Sequence, residues 1–447
     1  MVSPDPITLP VVTIDPTYPT VIQDVFSGVV PSETFWISCY KASHPSVHAK
    51  IRAELHAKDR DRVVTSVIEG DLMLNQADDG KYVVSCESLG MHKTPVLPPI
   101  QEYFDLERSN PQRPQRITAF DVAPDSSRLA TGFLDGSIFL YPTTPASSFS
   151  KYSLAQKTTP TISERAVSRP HLSTATHLQF FPSSRVLLSS GADFSLTVLP
   201  ADLPEPSPNV TTSTRLTPVR ILRAHTRPIT STVMIGPGRN VLSASLDGSL
   251  KLWDIPSSTV LASIPSQSTQ PILSATLASI SPASDPQSLV EGVTVYCGLQ
   301  DGSVQLFDLR ANNSVIQTPT ARNHGGAAAL AHNTSHHFLA VGSSKGIVSI
   351  YDTRLTSTTV TSFKRGEGDS GVEDLAFLRG NKANLVVATS DGLPYVANVL
   401  PDGPGVAVEL VGGDCDPVRS VCVRETTAGA QDIWSAGDDA VVRRWRL

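Results

Sequence analysis

Cysteine is scarce: five residues, at 39, 86, 297, 415 and 422, never spaced as Cys-x-x-Cys. That argues against a disulfide scaffold and fits buried free thiols in a reducing compartment. No apolar run approaches the roughly 20 residues that a membrane helix needs. The N-terminal stretch MVSPDPITLPVVTIDP lacks a basic segment and is broken by prolines, so no signal peptide is expected. Charge is sparse too: 17% of residues are charged and the net charge is −6. General nucleic-acid binding depends on Lys and Arg neutralising phosphate, and it is not expected here. The expected protein is a monomer of the cytoplasm and nucleus, bound to no membrane.

What the chain has is repetition. An alternating apolar run, Asp-Gly, a second such run and an aromatic-Asp pair recur along most of its length. The fullest copy is NVLSASLDGSLKLWD, ending at Asp254; TVYCGLQDGSVQLFD, FLAVGSSKGIVSIYD, RLATGFLDGSIFLY and IWSAGDDAVVRRW are weaker ones. A period of roughly 40–45 residues with four short strands per unit predicts a β-propeller. Marking each central hairpin turn gives Asp135, Asp193, Asp247, Asp301, Lys345, Asp391 and Asp438, separated by 58, 54, 54, 44, 46 and 47 residues. The longer intervals contain Ser/Thr/Pro-rich loops between 142 and 172, between 200 and 218, and after Asp254. Seven blades are expected, over residues 81–447, in an all-β chain.

Alternation of side chains packs one blade against the next, and Asp-Gly supplies the positive φ of a tight turn. His225, Ser245, Asp247 and Trp253 occupy the places of the polar tetrad that ties strands together in WD-repeat blades. RRWRL would be the third strand of the seventh blade, so a fourth is expected from upstream: KYVVSCES (81–88) or the stretch 101–107. Residues 1–80 lack the repeat. Strand-like WISCYK, VHAKIRAEL and RVVTSVI predict a small β-rich N-terminal domain there.

Three motifs suggest chemistry and fail on context. GEGDSG, Gly366 to Gly371, matches a dinucleotide fingerprint, but a strand and not a helix follows it, and Glu367 and Asp369 would repel phosphate. GSSKG, Gly342 to Gly346, matches a nucleophile elbow but stands where other repeats turn a hairpin. Cys39, His44 and His48 are too few for a zinc site, and His48 belongs to the solvent register of its strand. No enzyme, cofactor or metal is expected. The loops entering each blade share a face with the hairpin turns. There Glu373, Asp374, Asp414 and Asp416, with Arg419 beside them, form an acidic patch without hairpin duties, expected to meet a basic partner.

VELVGGDCDPVRSV, followed by DDAVVRRWRL, resembles the ending of the proteasomal ATPase-associated factor 1 family. GRNVLSASLDGSLKLWD is similar to that family's central blade and FWISCY to part of its N-terminal domain. The resemblance implies a non-catalytic assembly chaperone of the proteasome regulatory particle. It would grip the C-terminal domain of one regulatory-particle ATPase through a basic surface. A competing expectation is a substrate receptor of a cullin-RING ubiquitin ligase, because Phe307-Asp308-Leu309-Arg310 and Tyr351-Asp352-Thr353-Arg354 resemble adaptor-binding boxes.

Overall fold

The structure is a computed structural model. It describes all residues except 1–4, 59–61, 78–79, 111, 146–158, 161, 163, 204–211, 268, 281–291, 317, 319–323, 367, 381, 401–403 and 427–428. Seven antiparallel blades form the body, their innermost strands being Ile117–Val122, Ala175–Phe180, Ile229–Ile235, Ile272–Ile280, Ala327–Asn333, Val372–Phe377 and Val418–Glu425. Blade 3 shows why the repeat folds so. Its strands Ile229–Ile235, Asn240–Ser245, Ser249–Asp254 and Thr259–Pro265 pair in order. Leu242, Ala244, Leu250 and Leu252 pack against Val293, Val295 and Phe307 of blade 4. Val241, on the opposite face, meets Phe181, Leu188 and Val198 of blade 2. A period of two therefore feeds both neighbouring interfaces at once.

The central hairpins share one conformation. Gly136, Phe194, Gly248, Gly302, Gly346, Gly392 and Ala440 all have positive φ, between 65° and 83°. At Gly248 a Cβ would stand 2.9 Å from the Thr269 carbonyl oxygen, so this turn requires glycine. The seventh turn corrects the expected marker. Asp439, not Asp438, accepts the Val441 N–H as the other turn aspartates accept theirs.

The propeller closes through Gln101–Tyr103, which pairs antiparallel with Val442–Arg444. The other candidate, Tyr82–Cys86, lies elsewhere: with Met73–Gln76 and Met91–Leu97 it extends the sheet of blade 6. Arg444 is the clasp of the closure, donating to Asp432 and, at 2.8 Å, to Gln101 Oε1, with its guanidinium 4.8 Å from the Trp434 ring. Asp432 is 1% exposed, and Arg446 reaches it from the other side.

Three blades gain a fifth strand from distant sequence, and all three additions are parallel. Thr212–Arg215 lies along Glu164–Ser168 of blade 1, and Ile7–Leu9 along Leu355–Arg365 of blade 5. Val96 and Leu97 pair with Glu409 and Leu410 of blade 6.

Val11–Ile14, Ser32–Tyr40, Val47–Leu55 and Val63–Glu69 form a separate four-stranded sheet, backed by the helix Tyr18–Phe26. Phe35, Ile37, Ala49, Ile51 and Ala53 on its inner face share one core with Tyr82, Val84, Val96 and Val411 of the blade 6 sheet. The position near 80 falls inside a hairpin of that extended sheet, between Met73–Gln76 and Tyr82–Cys86. At the junction Arg365 and Glu409, both about 97% buried, pair at 2.5 Å, and Glu409 Oε1 accepts the Val12 N–H at 3.3 Å.

Candidate functional site

The seven inner strands surround a central cavity of about 620 Å³. Its wall is stitched blade to blade by short polar side chains. Thr118 Oγ1 donates to the Ala175 carbonyl (2.7 Å), Thr230 Oγ1 to Ile272 (2.9 Å) and Ser274 Oγ to Ala327 (2.9 Å). Asp121 accepts the Phe180 N–H at 2.7 Å from blade 2 and the Arg424 guanidinium at 2.6 Å from blade 7. His177, hydrogen-bonded to Thr232 Oγ1 at 2.8 Å, is pushed down to about 4 by burial, so its imidazole is neutral near pH 7.

The expected acidic patch divides in two. Glu373 and Asp374 belong to the inner strand Val372–Phe377 and not to an entering loop; Glu373 sits at the register shift that opens this strand as it opens the other six inner strands. Asp374 Oδ2 accepts the Val421 N–H of blade 7 at 2.9 Å. Burial, then the charges of Asp121 and Glu373, push its carboxyl up to about 7 against two backbone donors. Glu373 pairs with Arg419 at 3.0 Å, and Arg419 also forks onto Asp438 with two bonds of 2.9 Å. These three residues hold blade 6 to blade 7, which corrects the view that they have no structural duty.

Asp414 and Asp416 are exposed, on the loop between the strands Gly405–Leu410 and Val418–Glu425. The loop sits against the blade 6 turn, where a Cβ on Gly392 would stand 2.6 Å from the Asp416 carbonyl oxygen. Partial burial raises the Asp416 carboxyl, helped by Asp439, Asp414 and Asp438. Asp414 and Cys415 edge a groove of about 300 Å³, whose other wall is Val12–Pro16 with the exposed Trp36.

The tetrad uses a different serine from the one expected. Trp253 Nε1–H donates to Ser243 Oγ at 2.8 Å, and Ser243 meets His225 Nε2 at 2.7 Å. His225 Nδ1 meets Asp247 Oδ2 at 2.8 Å. With Nδ1–H donating to Asp247 and Nε2 accepting from the Ser243 hydroxyl, every member of the network is satisfied. Ser245 instead donates to the Arg227 and Pro228 carbonyls, bracing the turn into the blade. Blade 2 holds the same His–Asp–Ser arrangement, unmarked in the sequence reading, with Leu199 in place of the tryptophan: His171 meets Asp193 at 3.0 Å and Ser189 at 2.9 Å. The signal was available, since His171 precedes Asp193 by 22 residues as His225 precedes Asp247.

The remaining candidates are structural in setting. Gly346 turns the hairpin between Phe338–Ser343 and Ile347–Asp352, so Ser344 is on no strand-to-helix elbow. Of GEGDSG, Glu367 lies outside the described residues, and the strand Val372–Phe377 follows. Cys39 is buried while His48 faces outward to Ser38 Oγ at 2.7 Å; among the described residues no three metal-ligating side chains gather. Arg354 is held by its own Asp352 at 2.6 and 2.9 Å. Among the described residues no helix is long and apolar enough to cross a membrane.

Residues 216–254, the blade 3 repeat, match the family described as WD domain, G-beta repeat. The chain is 25% identical over 171 residues to "Ribosome biogenesis protein YTM1" of Coprinopsis cinerea, covering 38% of this chain and 35% of that protein. It is 25% identical over 288 residues to the protein of the same name from Podospora anserina, covering 59% of this chain and 57% of the relative. These relatives overturn the resemblance to the proteasomal ATPase-associated factor 1 family. With it fall the assembly-chaperone function and the ATPase C-terminal domain as partner, and the cullin-RING receptor is unsupported as well. What the repeat match and the blades together show is the fold: an all-β, seven-bladed WD-repeat propeller.

Proposed function

We propose that this chain is a protein-binding scaffold that serves ribosome biogenesis in the nucleus, without catalysing a reaction itself. The observation that carries this reading is the likeness to two ribosome biogenesis proteins, one of them over 288 residues. A rigid disc supports it, because its buried His, Ser, Asp and Arg groups are engaged in joining strands and blades. Holding proteins together needs no reactive group, only a fixed face and exposed loops. In this reading Asp414 and Asp416, exposed on the loop against the blade 6 turn, are the docking acids, while Glu373, Asp374 and Arg419 hold blades 6 and 7 together. Charge of that kind sets partner choice and association rate more than affinity.

A tagged chain from nuclear extract should co-sediment with ribosomal precursor particles on a sucrose gradient. Depleting it should make precursor rRNA accumulate. Sedimentation as a free protein only, together with normal precursor rRNA after depletion, overturns the reading.

A further inference from the structure

Blades 1, 5 and 6 have their outer edges covered by a parallel fifth strand. Among the described residues no strand covers Arg220–Arg223 of blade 2, Thr259–Pro265 of blade 3, Asn313–Ile316 of blade 4 or Gln101–Tyr103 of blade 7. A bare edge presents unpaired N–H and C=O groups and invites another strand. Blade 2 differs from the other three in its side chains. The interval 212–227, TSTRLTPVRILRAHTR, carries Arg215, Arg220, Arg223 and Arg227 and no acidic residue, in a chain of net charge −6. All four arginines are exposed.

None of the four makes an ion pair among the described residues. Arg220 reaches the Val219 carbonyl at 2.9 Å, and Arg227 approaches that of Leu246 at 3.5 Å. Beside them Val219 and Ile221 are 55% and 50% exposed. The chain crosses here between two blades. Leu216 N–H donates to Val167 of blade 1 and Val219 N–H to Val198 of blade 2, so Arg215, Arg220 and Arg223 follow the outer rim of blades 1 and 2, and Arg227 stands in the turn into blade 3.

We propose that this rim is a docking site for an extended acidic segment of a partner protein, added as a fifth strand parallel to Arg220–Arg223. Charge complementarity fixes the sign of the segment. The free edge, the exposed Val219 and Ile221, and three parallel additions within this one molecule favour a peptide strand over nucleic acid. A single-stranded RNA would stack bases on exposed aromatics, and the interval 212–227 contains no Phe, Tyr or Trp. Strand addition gains affinity from main-chain hydrogen bonds and specificity from alternate side chains. The proposal stands apart from the role in ribosome biogenesis, and either can fail alone.

The test uses fluorescence anisotropy with a labelled peptide of alternating Glu and Val, about seven residues long. Three comparison probes are the same peptide with a central proline, its Lys-for-Glu counterpart, and a single-stranded uridine RNA. The Glu-Val peptide should bind, and the proline and Lys peptides should bind at least roughly tenfold more weakly. R220E/R223E should lose the peptide while keeping the parent melting temperature, and R310E at the blade 4 rim should keep it. Peptide addition should also slow hydrogen exchange of the Arg220–Arg223 amides, a readout on the parent chain that holds even if the double variant misfolds. Equal binding of the proline peptide, undiminished binding by a folded R220E/R223E, tighter binding of RNA, or unprotected amides each overturn the proposal.

Discussion

Trp253 is 2% exposed and its indole N–H ends a chain that runs through buried Ser243 and His225 to Asp247. Trp253→Ala removes a large buried aromatic and leaves Ser243 without its donor, so it should cost about 3–5 kcal/mol. Urea unfolding at equilibrium measures this, and a near-unchanged midpoint would contradict the packing described. Asp374 yields a prediction of opposite character. Its folded carboxyl titrates near 7 against an ordinary 3.8, so the folded state holds an extra proton between those values. Stability from this group therefore falls as pH rises through that window and is level outside it, since both states are protonated below and ionised above. Asp374→Asn should flatten that part of the profile, measured as denaturation midpoints from about pH 4 to about pH 8. A slope unchanged by the substitution would assign the titration to another group.

At the scale of hairpins, Phe194 and Ala440 stand where five other blades place glycine at the same positive φ. A residue with a Cβ is disfavoured there by about 1–2 kcal/mol. Ala440→Gly should raise stability by about 1 kcal/mol after the entropy glycine loses on folding, visible as a higher melting temperature. The turn in blade 7 was legible as a turn, but adjacent Asp438 and Asp439 left its register open, and only the Val441 N–H chooses between them. Ser243 and Ser245 have the same limitation. They share strand parity, so alternation cannot separate them, and the reach of the His225 ring decides. The repeat made seven blades and their cores readable, because a period of two carries the packing. The fifth strands were not readable: two to four residues joined across 48 to more than 300 positions show no period. The roles of Glu373 and Asp374 were not readable for a related reason, since their partners Arg419 and Val421 belong to the next blade, more than 45 residues on.

For the molecule as a whole, the two ends of the fold are bound to each other and to the middle. The N-terminal sheet shares a core with blade 6, Glu409 holds both Val12 and Arg365, and Gln101–Tyr103 closes blade 7. Calorimetry should accordingly show one unfolding transition; an early separate peak, absent when residues 1–69 are deleted, would contradict this coupling. Arg444→Ala would strand the buried Asp432 carboxylate with Arg446 alone and should cost about 3–5 kcal/mol, read from the same scans. The closure also imposes a timetable on synthesis. Val442 is translated 339 positions after Tyr103. At about 5–20 residues per second that interval lasts roughly 17–70 s. Throughout it Gln101–Tyr103 waits at the ribosome as a strand with no partner, while six blades queue behind it. A nascent chain of this design is open to misjoined neighbours until Val442–Arg444 appears, and its demand for holding chaperones should track the speed of translation.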